Sequence, residues 1–157
     1  MGKENIQKII HRFEDLLQGD PWFGAAVYDM LNDFPQAIAY RKAAENAHSP
    51  IDILYHMITW TEFTVRRLEQ RTDGEPGYSE KIDWRPIDPK VHTWKKGVAE
   101  LKKLNKQITG FLKKKDDAFL EEPVKYRTYT FNYLLNGLAD HHIYHIGQIA
   151  LLKNIIK

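Results

Sequence analysis

Apolar side chains recur at three- and four-residue intervals along four long stretches of this chain, and that spacing predicts helices rather than strands. The first runs from Glu4 to about Gln18, with Ile6, Ile9, Ile10, Phe13, Leu16 and Leu17 on one stripe, and Gly19 ends it. Asp20 and Pro21 then read as a cap and a first-turn proline. A second helical piece is therefore expected from Pro21 to about Leu31, with Trp22 and Phe23 buried at the end of a bundle. From Asn32 to His48 the pattern weakens to a mixed stretch able to carry a short helical turn. Ser49, Pro50 and Asp52 supply a cap, a first-turn proline and an acidic third position, which together start a helix reaching about Gln70. It carries Ile51, Leu54, Ile58, Val65 and Leu68 on one face and His56, Trp60 and Phe63 on its flank. Apolar around much of its circumference, it is expected to lie deep.

Residues 71–89 hold two glycines, three prolines and many charges. A connection of nearly twenty residues is too long for a tight turn between antiparallel neighbours, so it predicts a crossover along the bundle. Its Tyr78 and Trp84 are expected to pin it down, or else to line a pocket mouth. A third long helix follows from about Val91 to Leu112, with Trp94, Val98, Leu101, Leu104, Ile108 and Leu112 on its core stripe and its lysines in solvent. Residues 116–129 form another connection, containing a candidate extended piece at VKYRTYT, and the last helix begins near Thr130. With no βαβ alternation and no internal repeat, the chain is expected to be all-α, one four-helix-bundle domain over residues 1–157 with long crossover connections.

A chain of 157 residues buries about two-thirds of its unfolded surface without staples. Its 23 basic and 21 acidic residues are dispersed, which argues against nucleic acid as a partner. The lack of cysteine excludes disulfides, iron-sulfur clusters and a cysteine nucleophile. Any metal must be held by histidine and carboxylates, and any thiol chemistry must use a thiol brought from outside. The first residues lack the apolar core of a secretion signal and no run approaches the roughly 18 apolar residues of a membrane span, so a cytoplasmic location away from membranes is expected.

The last helix contains Leu138 to Ile149, LADHHIYHIGQI. Counting by threes and fours gives Leu134, Leu138, His141, His145, Gln148 or Ile149, Leu152 and Ile155 as one stripe, with His142 one position off it at the rim. His141 and His145 then sit about 6 Å apart along the axis on nearly the same side. That suits two imidazoles chelating one divalent ion at about 2.0 to 2.1 Å each. Half-buried histidines bonded to a neighbouring helix give the same pattern. A stable site needs a third ligand, and His56 is the best available nitrogen, although a lone histidine among large apolar side chains is more often a satisfied core residue. His11 and His92 lie near helix ends and His48 precedes a cap. Dinucleotide, P-loop, nucleophile-elbow and HExxH patterns are absent, which leaves histidine as the residue type with a catalytic arrangement.

The stretch HHIYHIGQIALLKN resembles the C-terminal signature of the DinB-like family: a His, three residues, a His, one residue, then Gly-Gln-Ile and a basic tail. LYHMITWTEFTVRRLE resembles that family's second-helix motif, in which a His stands a turn before a Trp, and GDPWFG after the first helix is similar too. In helix order the resemblance covers essentially the whole chain. It implies a four-helix bundle in which His56, His141 and His145 bind one divalent metal, for which zinc and nickel are both suited. His142 stands where relatives often have an acidic residue and is left out of the ligand set. Gln148 either orients a ligand or makes a plain interhelical hydrogen bond.

Three neutral imidazoles leave a coordination position open and keep the ion's full charge, which favours water that ionises near neutrality, a thiolate or another anion. The activity that the resemblance implies is transfer onto a small-molecule substrate by a low-molecular-weight thiol of the bacillithiol, mycothiol or glutathione kind. It also implies a homodimer, with Trp84, Tyr126 and Tyr129 expected to be partly exposed. Two other readings remain: hydrolysis by metal-activated water, with His142, Tyr144 or a carboxylate as acid or base, and a non-catalytic metal-stabilised bundle in a stress response.

Overall fold

The computed structural model describes residues 2–71 and 77–156, so residues 72–76 of the expected crossover lie outside the described residues. In chain order the helices are α1 (Glu4–Gln18), α2 (Val27–Asn32), α3 (Pro50–Leu68), α4 (Tyr78–Lys81), α5 (Trp94–Leu112), α6 (Asp117–Leu120) and α7 (Phe131–Ile155), with a single 3-10 turn at Gln36–Ile38. The fold is all-α. The expected extended piece is a turn around Tyr126, at φ 63°, closed by an isolated bridge between Pro123 and Thr130.

The four long helices form the bundle. α3 packs against both α5 and α7, and α1 closes the opposite side against the same two helices. The stripes read for α1 and α5 are buried throughout, from Ile6 to Leu17 and from Trp94 to Leu112. α1 has no side-chain cap of its own. The Asp117 carboxylate of α6 accepts from the backbone N–H groups of Asn5 and Ile6 at 3.2 and 2.8 Å, so a residue far along the chain satisfies them.

α3 starts as its residues require. The Ser49 hydroxyl accepts from the Asp52 N–H, and the Asp52 carboxylate accepts from the Ser49 N–H at 2.8 Å. Such a cap contributes about 1 kcal/mol. The helix is buried on nearly every face, and its Thr59, Thr61 and Thr64 hydroxyls donate to carbonyls one turn back, which satisfies their donors within the helix.

The crossover is present, and it is what builds the site. From α4 onward the chain runs back along α3. Tyr78 lies under the Arg66 guanidinium at 4.5 Å, Asp83 meets Trp60 and His56, Arg85 donates to the Thr59 hydroxyl at 2.6 Å, and the Tyr55 hydroxyl donates to the Thr93 carbonyl at 3.2 Å. The start of α5 thus returns to the start of α3, and the two helices run side by side in one direction. Their approach is close enough to need a glycine: a Cβ on Gly97 would lie 2.8 Å from Leu54 Cδ2 and 3.1 Å from Tyr55 Cε2.

Two expectations are corrected here. The segment after α1 is not helical at Pro21, because the Gly24 N–H donates to the Pro21 carbonyl in a tight turn and Gly24 takes a φ of 135°. α2 begins only at Val27, so Pro21 and Ala26 turn inward while Trp22 is fully solvent-exposed and Phe23 is partly so. The α7 seam is also rotated. The buried positions are Phe131, Leu135, Leu138, His142, His145 and Ile149, whereas Leu134, His141, Gln148 and Leu152 form a half-buried flank. His142 is therefore completely buried rather than at the rim. Its Nε2 and the Asn105 Oδ1 of α5 are 3.1 Å apart and its ring stands perpendicular to that of Phe13 of α1, while its Nδ1 is buried without a hydrogen-bond partner.

Candidate metal centre

α3 and α7 meet where His56 faces His141 and His145. One nitrogen from each ring lies within 4.8 Å of the other two, so the three are able to share a single ion. The Nε2 atoms of His56 and His141 are 2.9 Å apart, and the His145 ring centroid is 4.6 Å from that of His56 and 4.3 Å from that of His141. His56 and His145 are buried and His141 is half-buried. His142 lies outside this group.

The outer nitrogens decide which atoms face inward. His56 Nδ1 is 2.9 Å from an Asp83 carboxylate oxygen, and that same oxygen accepts from the Trp60 indole N–H at 2.6 Å. A carboxylate only accepts, so His56 carries its proton on Nδ1 and turns the Nε2 lone pair toward the cluster. The Gln148 Oε1 does the same for His145, with Nδ1 at 2.6 Å. Gln148 thus orients a ring on its own helix and makes no interhelical bond to it. His141 Nδ1 is buried with no hydrogen-bond partner.

Burial holds all of these rings neutral. It pushes His141 down to about 2, His142 to about 3 and His145 to about 4, and the neighbouring imidazoles add to the effect for each. Gln148 opposes the shift at His145. His56 is lowered as well, again by burial, with Asp83 working against it. Neutral imidazoles are the state that coordination needs.

These directions set a pH dependence. The unfolded chain protonates its histidines near 6.5, the folded cluster only well below that, so between those values the unfolded state binds more protons. Stability is at its full value above about 6.5 and is lost as the pH falls toward the folded-state values. The thermal midpoint of metal-free protein should drop between pH 7 and pH 5 in a scanning calorimeter. A midpoint flat over that range would mean that the rings are not buried neutral.

Trp84 covers the cluster. Its ring stacks on His56 at 4.0 Å with 4° between planes, and His48 stacks on its other face at 3.5 Å. It therefore lines the site directly, whereas Tyr78 pins the crossover to Arg66. Two clefts flank the histidines. One of about 450 Å³ reaches His145 between His48, Trp84, Tyr144 and Leu151, and another of about 150 Å³ reaches His141 between α3 and the start of α7. Among the other histidines, His92 Nδ1 accepts from the Asp88 N–H in a turn.

Asp83 and His48 were missed by sequence reasoning. Asp83 sits in an irregular segment, and the adjacency of an acid to Trp84 in a long connection was the available signal. His48 stood out only as a histidine in a loop.

The arrangement is that of a helical bundle carrying a three-histidine cluster able to take a divalent ion. A family model of the DinB superfamily matches residues 24–149, which include all three histidines, and the chain belongs to that superfamily. No curated protein and no solved structure matches the chain. Among the described residues, no helix is long and apolar enough to cross a membrane.

Proposed function

We propose that His56, His141 and His145 hold one divalent cation, zinc or nickel, and that the protein is a metal-dependent transferase using a low-molecular-weight thiol of the bacillithiol type on a small-molecule substrate. The observation that carries the reading is the convergence of three neutral ring nitrogens, two of them with the outer nitrogen tied down by Asp83 and Gln148. The bound ion supplies a Lewis acid that stabilises a thiol as its thiolate.

The chain's own residues provide the rest. Trp84, stacked on His56, excludes water from one side of the cluster. The larger cleft at His48, Trp84, Tyr144 and Gln148 has room for a peptide-like thiol cofactor to enter beside His145. No carboxylate belongs to the histidine group, and Asp83 is committed to His56 and Trp60, which leaves hydrolysis without an obvious general base. A thiol cofactor of this kind implies the reducing cytoplasm. A homodimer is also part of the proposal. Its support is the exposed Tyr126 and Ile155, which line neither cleft.

The test is a titration of cobalt-substituted protein with bacillithiol, mycothiol and glutathione. A thiolate-to-cobalt absorption band that saturates with one of them, and is missing in His145→Ala, is the expected result. Cobalt uptake with no band from any thiol would overturn the transferase reading.

A further inference from the structure

The smaller cleft has a composition that specifies its occupant. Trp60 and Phe63 of α3 form one wall, with rings 5.4 Å apart in an edge-to-face pair, and Tyr129 and Tyr133 form the other, 5.2 Å apart. Leu138 and Gly137 lie between them, and His141 stands at the inner end. Two of the polar side-chain groups around it are already engaged. The Trp60 N–H donates to Asp83 and the Thr64 hydroxyl donates to the Trp60 carbonyl. What remains for a ligand is chiefly carbon and aromatic faces, with the Tyr133 hydroxyl at the outer end and His141 Nδ1 at the inner end as polar exceptions.

Size narrows the class further. The cleft holds about 150 Å³. An engineered apolar cavity of about 150 Å³ is filled by benzene. The cleft is open to solvent at Tyr133, and the part enclosed between the aromatic walls suits one flat ring. Gly137 lines the cleft, and a Cβ there would meet nothing within 4 Å, so a larger side chain at this position has room to fill it.

We propose that this cleft is the subsite for a planar, uncharged aromatic group of the substrate, which it delivers to the metal centre at His141 from the side opposite the cleft at His145. The second half of that statement rests on the metal-centre reading; the binding of the ring does not. The substrate class is accordingly an electrophile bearing a neutral aryl group, approaching from one side while the thiol enters from the other.

The test uses fluorobenzene, followed by fluorine NMR, with metal-free wild type, Gly137→Leu and Gly147→Leu. Gly147 is a second α7 glycine whose Cβ would also meet nothing within 4 Å, but it does not line the cleft. Saturable binding of fluorobenzene is expected in wild type and Gly147→Leu, weakened at least tenfold in Gly137→Leu, with fluorobenzoate binding far more weakly than fluorobenzene. Loading with cobalt should then broaden the signal of the bound probe. No saturable binding, or equal binding by Gly137→Leu, would overturn the subsite. Cobalt uptake is measured on the same samples, so a protein that binds the ring but no metal keeps the aromatic subsite and loses only the metal centre, while the reverse outcome loses the subsite alone.

Discussion

Replacing His141 by alanine is expected to lower the affinity for a divalent cation by more than about 100-fold, and His56→Ala and His145→Ala should do the same. The floor on that number comes from a comparison: losing only the hydrogen-bond partner of a ligating histidine costs about 10- to 100-fold, and losing the ligand itself must exceed it. The distinguishing readout is stability. His141 leaves its Nδ1 buried without a partner, and such a group costs about 1–3 kcal/mol. Metal-free His141→Ala should therefore lose little stability, because the unpartnered atom leaves with the ring. A histidine kept for packing would give the opposite pattern, with a lower thermal midpoint and unchanged metal affinity. Competition against a chromophoric chelator, run beside thermal unfolding, separates the two.

The second large effect belongs to Asp83, which touches no part of the cluster's interior. Its carboxylate fixes the His56 proton on Nδ1 and also takes the Trp60 N–H. Asp83→Ala should weaken metal binding by about 10- to 100-fold while leaving the three rings in place. Asp83→Asn should recover much of the loss, since its amide oxygen still accepts from His56. If both variants lowered the thermal midpoint but bound metal like wild type, Asp83 would be a structural anchor for the crossover and nothing more.

Much of this architecture is legible in the residues because the relevant signals are local. The Ser49-Pro50-Asp52 start, the start of the last helix near Thr130 and the stripes of α1 and α5 depend on neighbours within a few positions, and they emerge at the expected places. α7 is different. Leu134 and Leu135 are adjacent, so two stripes one position apart both satisfy a three-and-four count. Only the partner across the bundle, Asn105, decides that His142 turns inward. Trp22 misled for a related reason: its size argued for burial, but the tight turn at Gly24 determines where the ring points.

The candidate site divides along the same line. His141 and His145 share a face through helical geometry, and His56 joins them because α3 and α7 pack directly. Asp83 and Trp84 reach His56 only because the crossover runs back along α3, a tertiary fact with no local period. Gln148 lies one turn from His145 and could be seen, yet whether it reached across the bundle or back along its own helix depended on side-chain direction.

The central claim is that one ion is held by three imidazoles. X-ray absorption on untagged protein reconstituted with zinc tests it most directly. About one zinc per chain, with nitrogen neighbours near 2.0–2.1 Å and the outer scattering of three imidazole rings, is the expected result. Sulfur neighbours should be lacking unless a thiol is added, since the chain has no cysteine. Protein that stays free of zinc after reconstitution, or a zinc shell without imidazole scattering, would contradict the account.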